Sequence, residues 1–131
     1  MAKDYLETKN IKLFHQDEVL LAIQSHSNNF DSKSEITSIL VFADKIDIQK
    51  NRVSPSGMQK EGLRQYQYID DIRINILKDL LEINFVVNGK CNKPELESFY
   101  FTAKVFKAIN GLAMQFNLKP KILYNGKPWS L

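Results

Sequence analysis

The chain has 131 residues, 44% hydrophobic and 25% charged, with a formal net charge of +3 at pH 7. That is enough length and apolar content for one real core, and it excludes a disordered chain. The excess positive charge is too small and too dispersed to argue for a nucleic-acid partner. A single cysteine, Cys91, cannot close an internal disulfide. No apolar run approaches membrane-spanning length and no signal-peptide core is present, so the expected compartment is the cytoplasm, without a membrane partner.

In chain order, residues 4–9 read as a helix end. Residues 16–25 read as a helix with Asp17 and Glu18 in its first turn, and Ser32 or Ser34 caps a third helix running to about 48. The period then changes. Residues 53–62 carry a proline and two glycines and read as a loop. Ile72, Ile74 and Ile76 alternate with Arg73 and Asn75 in a strand over 68–77. Lys78 and Asp79 make a turn, and Leu81, Ile83, Phe85 and Val87 give an antiparallel second strand, so that the hairpin has one dry face. Pro94 opens one long amphipathic helix ending near Asn117, which should cover that face. Residues 120–124 form a third strand, followed by a turn at Asn125 and Gly126. The expected class is α+β: a short helical bundle over 1–53 and a β-β-α-β unit with a small antiparallel sheet over 54–131.

Two residues stand out chemically. His26 ends the second helix, and Asp44 lies in the third beside the apolar run from Ile39 to Ala43. An ionised carboxylate embedded in such a run needs a partner: a divalent cation, a basic side chain such as Lys45 or Arg52, or a backbone amide. The short loop between the helices makes them neighbours. His26 and Asp44 are therefore expected to face one groove, with Arg52 at its edge. His26 can equally be a helix-end residue that complements the helix dipole.

The run Ala22-Ile-Gln-Ser-His26, a polar loop, a serine, and then Ile39-Leu-Val-Phe-Ala-Asp-Lys-Ile-Asp47 followed by Arg52 resembles the later part of the HD-domain metal-dependent phosphohydrolases. The resemblance covers roughly residues 3–53. In that family a helical bundle holds one or two metal ions through an early His, a His-Asp doublet, sometimes further His residues, and a final Asp. Asp44 matches the final Asp, and His26 matches the extra His more loosely. This sequence departs from the family in having no His-Asp doublet, since Gln16 follows His15 and Ser27 follows His26. The resemblance implies an HD domain without its front, with metal ligands Asp44 and His26 and with Arg52 and Lys45 against a phosphoester or nucleotide substrate. A divalent ion (Mn, Mg, Fe or Co) is expected to bind only if the missing ligands are supplied.

The competing expectation is a non-enzymatic interaction or dimerisation module. Both readings predict a homo-oligomer, because a partial bundle leaves apolar helix faces uncovered. His15 is expected to be solvated, Cys91 an inert surface thiol, and Tyr66, Tyr68, Phe99, Tyr100, Phe101 and Phe106 core or interface packing residues. Lys50, Lys60 and Arg64 complete a basic set around Arg52. The sequence contains no phosphate-binding glycine loop and no zinc-type cysteine and histidine spacing.

Overall fold

The structure, a computed structural model, describes residues 1–131 apart from the side chain of Asn28. Its first third is helical: α1 (Ala2–Thr8), α2 (Gln16–Ser25) and α3 (Glu35–Ile46). His15 precedes α2 in the left-handed region at φ 53°, and Asp17 and Glu18 occupy the first turn, where exposed amides favour negative charge. Ser34 caps α3 by accepting a hydrogen bond from the Thr37 amide at 3.3 Å, as the serine pattern predicts. Three 3-10 turns, Lys50–Arg52, Gly57–Gln59 and Arg64–Tyr68, fill the connection to the sheet.

The second part is β1 (Ile69–Leu77), β2 (Leu80–Val87), α4 (Lys93–Ser98), α5 (Tyr100–Gln115), β3 (Lys119–Tyr124) and a short β4 (Lys127–Pro128). The α+β class holds. β1 and β2 form the expected antiparallel hairpin, with Ile72 opposite Phe85 and Ile74 opposite Ile83. The sheet as a whole is mixed, not antiparallel, because β3 lies parallel to β2, with Ile83 opposite Ile122. The chain leaves the end of β2, returns along α4 and α5, and so re-enters the sheet in the original direction, as a helical crossover does. The single helix expected from Pro94 is also two helices. Phe99 is extended (φ −71°, ψ 132°) and buried, while the Thr102 hydroxyl bonds the Leu96 carbonyl across the break at 2.6 Å.

Leu81, Ile83, Phe85 and Val87 of β2 join Leu96, Val105, Ile109 and Ile122 in the core. Phe42 and Ile48, on and just after α3, belong to the same core, and α3 packs along α5. The hairpin's dry face is incomplete. Ile76 shares the core side of the sheet with its partner Leu81 yet is 63% exposed, because β1 is an edge strand. On the helical side Phe14 (88% exposed), Leu21 (60%) and Ile39 (51%) point outward. Among the described residues no helix is long and apolar enough to cross a membrane.

Candidate functional site

The burial of α3 corrects one premise of the sequence reading. Thr37, Ser38, Val41, Phe42 and Lys45 recur at three and four residues and form the buried stripe. Asp44 is turned about 100° away from its neighbour by the helical period. Its side chain is 44% exposed, and Lys45, 8% exposed as a residue, is the charged group taken inside. Lys45 Nζ meets Asp44 Oδ2 at 2.5 Å. A buried lysine stem with its ammonium reaching back to a water-facing carboxylate resolves both charges. Asp44 therefore has the basic-side-chain partner rather than an apolar surround, and Lys45 is held by that carboxylate.

His26 begins a single 3-10 turn, His26–Asn28, directly after α2. Its Nδ1–H donates to the Ile23 carbonyl oxygen at 2.7 Å. A carbonyl can only accept, so Nδ1 carries the proton in this bond and Nε2 is the ring nitrogen that the bond leaves free. α2 and the His26 turn both pack on α3, as the expectation of adjoining helices requires. Even so, His26 donates its hydrogen bond to a near neighbour in sequence and Asp44 accepts one from another. An imidazole nitrogen and a carboxylate suit a divalent ion in kind, but they are too few to hold one alone. Among the described residues no group of three or more His, Cys, Asp and Glu side chains is placed to bind a metal.

Arg52 is not turned toward Asp44's carboxylate. Its Nε lies 2.7 Å from Asp47 Oδ2. The two residues stand at a cleft of about 190 Å³ whose walls include Ile48, Val53, Leu63, Tyr66 and Phe101. Tyr66 is buried and meets Phe101 edge to face at 5.8 Å between ring centroids. Burial pushes the Tyr66 phenol up to about 12. The wall is fixed from α4: Glu95 takes hydrogen bonds from Arg64 and from the buried Gln65, whose own side-chain oxygen accepts from the Asn92 amide at 3.1 Å. Glu95 and the cleft were not legible in the sequence, since Gln65 and Glu95 are thirty residues apart and no local pattern joins them.

The remaining candidates are structural. His15 faces Glu18 at 3.5 Å in an exposed pair, as a solvated residue should. Cys91 is half-buried against the core rather than on the open surface, and that burial raises its thiol pKa, which lowers its reactivity. Lys50 pairs with Asp70 at 3.0 Å and holds that carboxyl below its usual range. No protein-family model matches the chain, and no curated protein or solved structure resembles it closely enough to count as a match.

Proposed function

We propose that this chain supplies the later part of an HD-type metal-dependent phosphohydrolase, with Asp44 and His26 as ligands to a divalent ion and Arg52 as a contact to substrate phosphate. The observation that carries the reading is the His26 hydrogen bond to Ile23. Metal-binding histidines characteristically donate their second ring N–H to a carbonyl or carboxylate, which orients the ring and leaves the other nitrogen for the ion. A bound Mn, Mg, Fe or Co ion would polarise phosphoryl oxygens and acidify its water. Within the chain, Lys45 fixes the Asp44 carboxylate in direction, and the Arg52 guanidinium is exposed enough to exchange Asp47 for a phosphate. The remaining ligands come from outside these 131 residues, a phosphoester or nucleotide is the substrate, and the cytoplasm is the compartment.

The test has two arms. Assayed with generic phosphodiesters and nucleotides in Mn²⁺, Mg²⁺, Fe²⁺ or Co²⁺, the chain should show no turnover above buffer. Turnover abolished by Asp44→Ala would show that the ligand set is already complete. The genomic reading frame upstream of the Met1 codon should encode a His and a His-Asp doublet, and a frame without them would sink the hydrolase reading. The second reading, an interaction module without catalysis, is favoured by the outward apolar residues Phe14, Leu21 and Ile39.

A further inference from the structure

We infer that the cleft between the end of α3, the 3-10 turns at 50–59 and the start of α5 is a binding site for a neutral, planar heteroaromatic group of nucleobase type. Asp47 and Arg52 meet its edge, and the Tyr66 and Phe101 rings meet its body. The size comes first. At about 190 Å³ the cleft falls below the roughly 300 Å³ at which pockets for drug-sized ligands begin, so it takes one ring system and not a whole nucleotide. Its walls favour a flat apolar body: Ile48, Val53 and Leu63 are aliphatic, and Tyr66 contributes only its ring. The hydroxyl of Tyr66 is committed inward to Thr102.

The mouth decides the ligand's polarity. Asp47 offers acceptors only and Arg52 donors only, and they stand 2.7 Å apart. A free anion can reach Arg52 only by displacing the Asp47 carboxylate, and a free cation can reach Asp47 only by displacing the guanidinium, so either ligand bonds one of the two and leaves the other. A purely apolar ligand would cover both charges and satisfy neither. A neutral edge with a donor beside an acceptor, the amide-like edge of a nucleobase, bonds both at once. Both side chains are well exposed, so each can turn from its partner to the ligand without leaving a buried charge. The site does not involve His26 or Asp44, and it stands whether or not they hold a metal.

The full chain, free of metal, is titrated with guanosine and adenosine and followed by NMR of the aromatic and arginine side chains. Toluene and inorganic phosphate serve as controls. A nucleoside should shift Tyr66, Phe101 and the Arg52 guanidinium together. Arg52→Ala and Asp47→Asn should each weaken binding about fivefold, the worth of one hydrogen bond. Val53→Phe should fill the cleft and abolish binding, and if it fails to fold, the two exposed substitutions still decide. Three results would overturn the inference. Neither nucleoside shifts those side chains; toluene binds as well as a nucleoside and ignores Arg52→Ala; or a nucleoside moves Arg52 no further than phosphate does and leaves Tyr66 and Phe101 unmoved, so that only the phosphate contact proposed above for Arg52 remains. A separate Mn²⁺ titration reads the metal proposal, so the two can fail independently.

Discussion

Tyr66 shows how one side chain couples the cleft to the stability of the molecule. The Thr102 hydroxyl spends its proton on the Leu96 carbonyl at 2.6 Å, so in the 3.4 Å contact between the two hydroxyls it is Tyr66 that donates. Burial raises its pKa from 10.0 to about 12. The neutral phenol is therefore the folded form, and below pH 10 nothing is lost. Above pH 10 the unfolded chain ionises first, and stability should fall progressively up to about pH 12, by on the order of 2 kcal/mol for this group. Urea unfolding at pH 9 and pH 11 measures the drop, and Tyr66→Phe should reduce the difference. Glu95 makes a second case. With Glu95→Ala the buried Gln65 amide loses its acceptor, which should cost about 1–3 kcal/mol and leave the cleft wall less ordered. Chemical denaturation reads the first effect and amide exchange across 57–68 the second. At this scale the sequence was only partly legible. The apolar run around Asp44 was visible, but judging burial from composition overlooked that Lys45, a turn on from Val41, faces the core, and pairings between residues such as Tyr66 and Thr102 leave no local trace.

At the scale of elements, α2 and the α3 cap were readable because caps and first-turn carboxylates are local signals. The hairpin was readable because β2 alternates without a fault. The break at Phe99 was not, since the spacing of Phe99, Ala103 and Phe106 suits a continuous helix and only the tertiary burial of Phe99 interrupts it. The direction of β3 depends on how far α5 carries the chain back, and strand composition does not record it. α5 also bears the closest approach at any of the five glycines. A Cβ on Gly111 would stand 2.5 Å from the Phe30 carbonyl oxygen, and backbone cannot swing aside as a flexible side chain can. Gly111→Ala should therefore destabilise by about 1–3 kcal/mol, and a midpoint in urea equal to that of the unaltered chain would disprove the close packing.

For the molecule as a whole the question is what covers Phe14, Leu21 and Ile39. Outward residues of this size, on α2 and α3 and in the turn before α2, favour association in water. We expect the chain to self-associate, with sedimentation showing a species heavier than a monomer at high concentration. Leu21→Glu together with Ile39→Glu should return it to the monomer without altering helix content. A monomer at every concentration would remove the association argument while leaving the cleft untouched.

The indole of Trp129 turns the core into its own reporter. It is the chain's one tryptophan, set against Phe85, Phe106 and Tyr124 at ring distances of 5.3, 5.0 and 5.3 Å, with its N–H on Glu97 at 2.7 Å. Its emission therefore follows the sheet and α5, and is blind to α1 and α2. Circular dichroism at 222 nm, by contrast, weighs every helix. Because Phe42 and Ile48 sit in the same core as that indole, fluorescence and dichroism should trace one denaturation curve. A helical signal that melts ahead of the emission would mark α1 and α2 as an appendage that the rest of the molecule does not need in order to stay folded.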